Sequence, residues 1–195
     1  MSMADFKARW DAHIQRTGWP DYGFVRANLG DYPISAEDRN WLVGIGLPKD
    51  ASFFSFDEFP EDGLKPVLSI YGRPGDWTDA DRERTARYLY LGCDGGGNPV
   101  CIDSQDGNIV MLNHENEFWP YDMVNSSVRQ FAESLLAYAE IIEDFQSEYG
   151  DVDPYEDGLP ADMHAAAEAR LREIDPGAFG ERSFWRGVLD DIRRA

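Results

Sequence analysis

The sequence predicts an α+β fold in which a central antiparallel sheet is flanked by helices. Three short apolar runs, at residues 87–93, 99–102 and 108–113, are separated only by polar turns. Because parallel strands need a crossover of about a dozen residues or more, these runs must form an antiparallel meander. The longest amphipathic helical pattern follows them, and shorter helical patterns lie toward both ends of the chain. Strands and helices are therefore segregated along the chain, which is typical of α+β folds.

Two helices are predicted before the sheet. The first covers residues 4–15, where large apolar side chains recur at every fourth position and share one face. These side chains belong to Phe6, Trp10 and Ile14. The second helix begins after Pro33, where Ser35 and Asp38 have the spacing of a capping box. It ends at Gly46, because Pro48 bars its continuation.

Two short strands are predicted between the second helix and the meander. The first contains Phe53, Phe54 and Phe56. The second covers residues 67–71 and stops at a glycine- and proline-rich turn over residues 72–75. Aromatic and β-branched runs that end in such a turn are typical of strands.

The longest predicted helix begins at Ser127, whose hydroxyl is placed to cap it while Gln130 reaches back. Its apolar side chains fall within about a third of the helix circumference, and its acidic side chains lie on the other side. The apolar side chains are those of Phe131, Leu135, Tyr138, Ala139, Ile142, Phe145 and Tyr149. An acidic loop at residues 151–158 follows, and two further helices are predicted at residues 160–174 and 184–192.

The chain of 195 residues is predicted to form one domain, residues 1–195. Residues 1–30 are expected to be an N-terminal helical extension, and residues 151–195 a C-terminal helical segment packed on the same domain.

The formal net charge is −19, from 18 basic and 37 acidic residues. Residues 103–168 contribute −15 of this charge, because Arg129 is the one base among 16 acids.

This charge distribution excludes several classes of partner. Nucleic-acid binding needs clustered lysine and arginine, and anionic membrane surfaces also attract basic segments. Charged residues occupy the N-terminal stretch where a signal peptide would be apolar, and no apolar run approaches the roughly 20 residues of a membrane span. Cys93 and Cys101 provide no disulfide framework. The sequence therefore predicts a cytoplasmic protein that binds neither nucleic acid nor membranes.

No motif with catalytic or cofactor chemistry stands out. The glycines at residues 95–97 connect two predicted strands, whereas a phosphate-binding loop leads into a helix. His13, His114 and His164 lie in separate segments without the spacing of a zinc site, and no G-x-S-x-G nucleophile motif occurs. Residues 151–156 begin like a calcium loop but lack its fifth ligand and its glycine. We therefore expect no catalytic residue, cofactor or metal; the alternative is an acid-dependent hydrolase or a metal-dependent enzyme.

The C-terminal part of the long helix and the loop after it predict a surface for a basic partner. The carboxylates expected to contact it are Glu140, Glu143, Asp144, Glu148, Asp151 and Asp153. Helix C-termini favour cations, but no lysine or arginine lies among these acids. The stability of the fold therefore does not explain why acidic residues are concentrated here. The alternative is a solvated face of a generally acidic protein. Trp119 and Tyr121 are candidates for an aromatic anchor near this surface, or for the core.

Four segments resemble a known family: WLVGIGLP at 41–48, LGCDGGGNPVCID at 91–103, IVMLN at 109–113 and VNSSV at 124–128. Together they resemble the SUKH superfamily, which includes bacterial immunity proteins and eukaryotic cell-wall regulators related to the yeast Knr proteins. The positions that the resemblance implies as fold determinants are Gly46, Pro48, Asp94, Gly95, Gly96, Gly97, Asn98, Pro99, Asn125 and Ser126.

The resemblance implies a Smi/Knr-like fold without catalytic residues or cofactors. It also implies a function, since bacterial members bind and neutralise a cognate toxin, frequently a nuclease. Together with the acidic charge, this predicts an immunity protein that occludes a basic toxin stoichiometrically. The alternative is a non-enzymatic regulator or scaffold of the same fold that binds an endogenous protein. The sequence predicts no particular oligomeric state.

Overall fold

The structure, a computed structural model, describes residues 1–18, 24–25, 29–56, 63–72, 75–150 and 152–193. Its helices are α1 (Met3–Thr17), α2 (Ala36–Gly44), α3 (Asp79–Thr85), α4 (Val128–Tyr149), α5 (Pro154–Asp157), α6 (Ala161–Ile174) and α7 (Phe184–Asp191). Its strands are β1 (Phe24–Val25), β2 (Leu47–Pro48), β3 (Asp50–Ala51), β4 (Phe54–Ser55), β5 (Tyr88–Asp94), β6 (Pro99–Asp103), β7 (Ile109–Asn113) and β8 (Trp119–Asn125). The predicted α+β fold class is confirmed.

Strands β3 to β8 form one antiparallel sheet of six strands, and their order in space is their order in the chain. The three predicted strands of the meander correspond to β5, β6 and β7. The sheet extends beyond them through the β3–β4 hairpin on one side and through β8 on the other. Strands β1 and β2 form a separate antiparallel pair.

Both faces of the central strands are covered. In β6, Val100 and Ile102 belong to the larger apolar cluster of the molecule, whereas Cys101 belongs to a smaller one. Successive side chains of a strand point to opposite faces, so the two clusters lie on opposite sides of the sheet. The larger cluster includes side chains from Phe6 in α1 to Ile192 just after α7. The two ends of the described chain therefore contribute to the same core.

Helix α4 lies against the sheet face covered by the larger cluster and contacts α1, α2 and α6. Its buried face includes Phe131, Leu135 and Phe145. Ser127 caps the helix by accepting a hydrogen bond from the backbone N–H of Gln130 at 3.2 Å. Across the described residues, no helix combines the length and the apolar character needed to cross a membrane.

The turn between β5 and β6 is held by two polar side chains. Asp94 Oδ1 accepts hydrogen bonds from the backbone N–H groups of Gly96 at 2.9 Å and Asn98 at 2.7 Å. Asn98 Nδ2 donates to Asp94 Oδ2 at 2.9 Å, and Asn98 Oδ1 accepts from the backbone N–H of His114 at 3.3 Å. Gly97 has a φ of +85°, a backbone conformation that is strained for any residue with a side chain. The glycine-rich segment is thus a specific reversal that also contacts the next turn of the meander.

A buried polar network fixes the chain where β8 leads into α4. Asn125 Nδ2 donates to Asp175 Oδ2 at 3.0 Å, and Trp185 Nε1 donates to Asn125 Oδ1 at 3.0 Å. Ser126 donates to the Asp175 carboxylate from its backbone N–H at 2.6 Å and from its hydroxyl at 2.8 Å. Asn125, Asp175 and Trp185 are all buried. The network therefore connects the sheet and the start of α4 to the C-terminal helices.

The strand predicted at residues 67–71 is wrong, because Val67–Ser69 forms a 3₁₀ helix. Pro66 makes an isolated bridge with Leu89 of β5 and has no backbone N–H with which to continue a ladder. The chain then turns at Gly72, whose φ is +88°. An apolar run beside the sheet therefore packs against it without joining it.

The β3–β4 hairpin pairs with β5 at one edge of the sheet. Phe53, which was predicted to lie within a strand, is instead in the two-residue turn of this hairpin together with Ser52. Gly92 of β5 lies close to the hairpin backbone, where a Cβ atom would be 2.3 Å from the carbonyl oxygen of Ser55. A glycine is therefore required for this close approach between β4 and β5.

Candidate functional site

An open groove with a volume of about 980 Å³ lies between the β3–β4 hairpin and helices α1, α4, α5 and α7. We call it the acidic groove. Its carboxylates are those of Asp50, Glu143, Asp153, Glu156, Asp157 and Asp191. Its apolar lining includes Phe53, Tyr138, Ile142, Val152, Phe184 and Val188. Among the described residues that line it there is no lysine and no arginine.

Phe53 is at the centre of one end of the groove. The hairpin turn gives Ser52 a φ of +54°, and the following residue, Phe53, packs against the helices. Its ring centroid is 4.8 Å from that of Tyr138 and 5.3 Å from that of Phe184. The Tyr155 ring is 6.5 Å away and nearly perpendicular to Phe53, at 87°. We call the part of the groove formed by these four rings its aromatic end.

The short helix α5 presents Tyr155 to the groove. Asp153 caps this helix by accepting a hydrogen bond from the Tyr155 backbone N–H at 2.9 Å, and Pro154 at the first position favours the helical φ. The hydroxyl groups of Tyr155 and Tyr138 are 3.2 Å apart and hydrogen bonded. Tyr155 nevertheless remains 48% exposed, and it is among the residues that line the groove.

Both phenols of this pair are neutral at physiological pH. Burial raises the pKa of Tyr138, and its hydrogen bond with Tyr155 raises it further. Burial also raises the pKa of Tyr155; the hydrogen bond from Tyr138 lowers it, and the charges of Asp191 and Asp153 raise it. The negative charge at the aromatic end therefore comes from carboxylates that surround uncharged rings.

The loop that carries α5 is tied to the end of α7. The backbone N–H of Leu159 donates to the carbonyl of Ile192 at 2.7 Å, and Leu159 forms a parallel bridge with Arg193. This contact joins the chain that follows α5 to Ile192, the residue after Asp191. Two segments that are distant in sequence thus contribute carboxylates to the same groove.

At the other end of the groove, Glu143 is already paired within the chain. Arg16 of α1 donates to it from Nε and from Nη2, the latter at 3.0 Å, and His13 Nδ1 donates to it at 2.6 Å. These hydrogen bonds lower the pKa of Glu143, and the bond from Arg16 has the largest effect. Partial burial of the carboxylate opposes this shift. Glu143 therefore connects α1 to α4.

Glu140, one turn earlier in α4, is also neutralised internally. Arg9 of α1 donates to Glu140 from Nη2 at 2.5 Å and from Nε at 3.3 Å, and Arg170 of α6 donates to the same carboxylate. The Glu140 side chain is only 15% exposed. These ion pairs join three helices, and they give Glu140 a role in folding.

The structure brings together two of the six carboxylates predicted to bind a partner. Glu143 and Asp153 line the acidic groove, whereas Asp144 and Glu148 are exposed on α4 outside its lining. Glu140 lies in its ion-pair cluster, and Asp151 lies outside the described residues. The expectation that no base offsets these acids is wrong for Glu140 and Glu143, because α1 and α6 supply arginines to them. Partner binding by the six residues stays a prediction.

Sequence reasoning missed most of the groove. Asp50, Phe53, Phe184 and Asp191 come from segments far from the acidic loop, and only the folded chain brings them together. The density of acids at residues 151–158 was the one visible signal. It indicated a charged surface but not the aromatic side chains beneath it.

The two proposed aromatic anchors lie elsewhere. Trp119 and Tyr121 are 49% and 55% exposed on strand β8, and neither lines the acidic groove. The guanidinium carbon of Arg84 is 4.6 Å from the centroid of the Trp119 ring. The core role that was the alternative for both residues is wrong, because both side chains are about half exposed.

The remaining histidines have partners of ordinary kinds. His114 Nδ1 is 2.9 Å from Asn98 Oδ1, and His164 Nε2 is 2.9 Å from the carbonyl oxygen of Leu189. Across the described ranges of the chain, no group of three or more His, Cys, Asp or Glu residues is arranged to hold a metal ion.

Comparison with known proteins identifies the family. The family model described as SUKH-4 immunity protein matches residues 25–191, which include every element that lines the groove except α1. No curated protein sequence and no solved structure matches the chain. The match confirms the resemblance to the SUKH superfamily that the glycine-rich turn and its flanking strands indicated. The chain belongs to the SUKH-4 immunity protein family.

Proposed function

We propose that this protein binds a cognate bacterial toxin through the acidic groove and neutralises it by stoichiometric occlusion in the cytoplasm. Membership of an immunity protein family implies a toxin as the partner. The observation that supports this site is an open groove lined by six carboxylates, of which Glu143 is paired with Arg16 of α1, and with no lysine or arginine among its described lining residues. A surface of this kind favours a basic partner.

A basic toxin such as a nuclease fits this groove well. Nucleases bind phosphates through positively charged clefts, so a carboxylate-rich surface can cover such a cleft and exclude the nucleic acid. Complementary charge would also accelerate association, and this acceleration falls as the salt concentration rises. Inhibition then requires no chemistry from the immunity protein itself.

The layout of the groove also suits a protein interface. Binding energy is usually concentrated in a few aromatic contacts at the centre of an interface, surrounded by polar residues that exclude water. The acidic groove has both components, because its lining combines aromatic and aliphatic side chains with exposed carboxylates such as those of Glu156 and Asp191. The apolar lining would supply affinity, and the carboxylates would supply specificity and association rate.

The proposal is tested by isolating the partner and measuring inhibition. The tagged full-length protein is purified from its native cells, and the bound protein is identified by mass spectrometry. The identified toxin is then assayed alone and with increasing amounts of the immunity protein. We expect activity to fall linearly to zero at a fixed molar ratio. A toxin that keeps its activity at molar excess, or a captured protein without toxic activity, would contradict the proposal.

The groove is tested with charge-neutralising variants of the full-length protein. The triple variant Asp153→Asn, Glu156→Gln, Asp191→Asn removes three groove charges and keeps the α5 cap, since asparagine is also a good N-cap residue. We expect its association rate constant at low ionic strength to be about tenfold lower, with a weaker dependence on salt.

The matched control removes the same charge from exposed positions outside the groove, with Glu115→Gln, Glu173→Gln and Glu181→Gln. A second control, Asp144→Asn with Glu148→Gln, tests the predicted residues that lie on α4 outside the groove lining. If either control slows association as much as the groove variant does, the effect is one of total charge, and the groove is not the binding site.

A further inference from the structure

The geometry points to the aromatic end of the acidic groove as a receptor for one arginine side chain of the bound toxin. This inference rests on the proposed function for the identity of the partner. It concerns the rings of Phe53, Tyr138, Tyr155 and Phe184 and the carboxylates of Asp153 and Asp191.

The two ends of the groove differ in whether their charge is satisfied within the chain. Glu143 is paired with Arg16 and His13. Asp153 and Asp191, at the aromatic end, form no ion pair with any described residue. Both carboxylates line the groove together with Tyr155: Asp153 accepts a hydrogen bond from the Tyr155 backbone N–H at 2.9 Å, and the chain after α5 is hydrogen bonded to Ile192, the residue that follows Asp191. A cation placed beside Tyr155 would therefore interact with two carboxylates at once.

The rings provide the surface on which such a cation can rest. Phe53 is nearly perpendicular to both Tyr155, at 87°, and Phe184, at 84°, so the rings form a corner. A guanidinium group binds favourably over an aromatic face, by about 0.5–2 kcal/mol depending on its exposure to water. The apolar stem of the same side chain can pack on the adjacent ring. The corner thus offers contacts for both parts of an arginine.

Arginine fits this corner better than lysine does. Its planar, weakly hydrated guanidinium stacks on rings and presents several N–H donors in a fixed geometry, which can bridge two carboxylates. Among the described residues three arginines lie over aromatic rings, with centroid distances of 4.3–5.1 Å, whereas Lys7 lies over Phe24 at 5.4 Å. These pairs are Arg84 with Trp119, Arg87 with Tyr88, and Arg172 with Phe179.

The receptor can be tested without the toxin, by titrating the full-length protein with N-acetyl-L-arginine methylamide. The matched control probe is the citrulline derivative, which has the same length but no charge. In ¹H–¹⁵N spectra, we expect saturable shifts of the backbone amides of residues 52, 53, 153, 155, 156 and 188–191. The arginine probe should bind at least about tenfold more tightly than the citrulline probe, since only arginine provides the cation.

Two variants test the receptor residues. Tyr155→Leu removes an exposed ring, and Asp191→Asn removes one charge. We expect each variant to raise the Kd for the arginine probe at least about threefold. The controls are Tyr121→Leu, at a tyrosine of similar exposure on β8, and Asp106→Asn, at an exposed acid between β6 and β7. Both controls should bind the probe as the unchanged protein does.

The inference is overturned if citrulline binds as tightly as arginine, or if the arginine shifts spread evenly over the acidic surface. Once a toxin has been identified, its Kd for the Tyr155→Leu variant gives an independent result. Unchanged toxin binding by that variant would overturn the arginine receptor and leave the proposed function intact. Specific arginine binding by a protein that inhibits no toxin would overturn the proposed function alone.

Discussion

Ser52 has an unusual backbone conformation for its residue type. Its φ of +54° lies in the left-handed region, which costs a non-glycine residue about 1–2 kcal/mol. Two-residue hairpin turns usually have glycine, asparagine or aspartate at such positions. The turn is nevertheless what brings Phe53 into contact with Tyr138 at the aromatic end of the groove. Strain at this residue is therefore associated with the placement of a groove side chain.

We expect Ser52→Gly to raise the free energy of unfolding by about 0.5–1 kcal/mol, because the relief of strain exceeds the added entropy of the unfolded chain. Urea denaturation measures this difference. The control is Ser55→Gly in β4, where glycine should lower stability by about 1 kcal/mol, as in other strands. Equal losses for the two variants would show that the turn is not strained.

Glu143 makes the stability of the fold depend on pH. Its pKa in the folded protein is held below the ordinary value of 4.5, first by Arg16 and then by His13. A carboxylate of this kind stabilises the fold above its unfolded-state pKa, and the stabilisation is lost as the pH falls through the lower folded-state pKa. We expect Glu143→Gln to be less stable than the unchanged protein at about pH 5.5, and this difference to shrink as the pH falls toward 3.

Urea denaturation at several pH values measures this difference. Glu115→Gln is the control, since Glu115 is exposed and forms no ion pair with a described residue. The unfolding free energy of Glu115→Gln should stay close to that of the unchanged protein at every pH. If Glu143→Gln lowers the unfolding free energy by the same amount at about pH 5.5 and at pH 3, the ion pair does not have this role.

Individual side chains also show where sequence reasoning stops. The spacing of Ser35 and Asp38 correctly predicted a cap, because Ser35 Oγ accepts from the Asp38 backbone N–H at 3.0 Å. The Asp38 carboxylate, however, is buried and accepts from the backbone N–H of Val128, at the start of α4, at 2.8 Å. A local motif predicts its own hydrogen bond, but it does not indicate that the same residue also serves a helix 90 residues away.

At the scale of elements, Asn125 holds β8 and α4 to the C-terminal segment. Asn125→Ala would leave the buried Trp185 indole N–H without its acceptor and would remove a donor from the Asp175 carboxylate. Each unsatisfied buried group costs about 1–3 kcal/mol. We therefore expect the variant to lose about 3 kcal/mol of unfolding free energy in chemical denaturation.

Asn113→Ala is the matched control for this network. Asn113 ends β7, and its side chain accepts one exposed hydrogen bond from the Glu115 backbone N–H at 2.9 Å. Because water can replace that bond, the control should lose less than about 1 kcal/mol. A loss for Asn125→Ala no larger than that of the control would show that the buried network is dispensable.

The elements that the sequence predicted are those with a regular apolar pattern. Helices α1 and α4 have apolar side chains at helical spacing, and strands β5 to β7 are short apolar runs between polar turns. Helix α3 was missed because it is mostly charged, and Thr85 is its buried residue. Strand β8 was missed because it contains Pro120 and Asp122 and has two register shifts against β7, which disrupt the alternation. Their places in the fold depend on neighbours that a local pattern does not reveal.

At the scale of the whole molecule, α1 belongs to the main core although it lies outside the residues that the family model matches. Phe6 is fully buried, and its ring centroid is 5.2 Å from that of Trp41 in α2. Truncating a buried phenylalanine to alanine costs about 3–5 kcal/mol. We expect Phe6→Ala to lower stability by this amount while the protein still unfolds in one cooperative transition.

Far-UV and near-UV circular dichroism during urea denaturation test this prediction, since coincident curves indicate one transition. Ile14→Ala, at a partly buried position on the same helix, is the control. It should lower the unfolding free energy by less than Phe6→Ala does. Two separate transitions for Phe6→Ala, with the first confined to the helical signal, would show that α1 folds independently of the sheet.

The distribution of charge over the molecule was only partly predictable. The excess of acids was visible in the sequence, and so was its concentration after residue 103. What the sequence did not show is that arginines from α1 and α6 neutralise Glu140 and Glu143 in the folded protein. Which carboxylates form no ion pair with a described residue, as is the case for Asp153 and Asp191, is determined by tertiary contacts. Composition therefore predicted an acidic protein, and the fold determines which face is acidic.

Gly92 shows that the shape of the acidic groove depends on a contact in the interior. A methyl group at this position would meet the Ser55 carbonyl and push the hairpin away from β5. The hairpin turn that carries Phe53 would shift with it. Under the proposed function, cells that carried Gly92→Ala would become sensitive to the toxin although every residue that lines the groove was unchanged. Under that function, genetic selection for resistance would act on this buried backbone contact as well as on the exposed surface, and a screen for sensitive variants would recover Gly92.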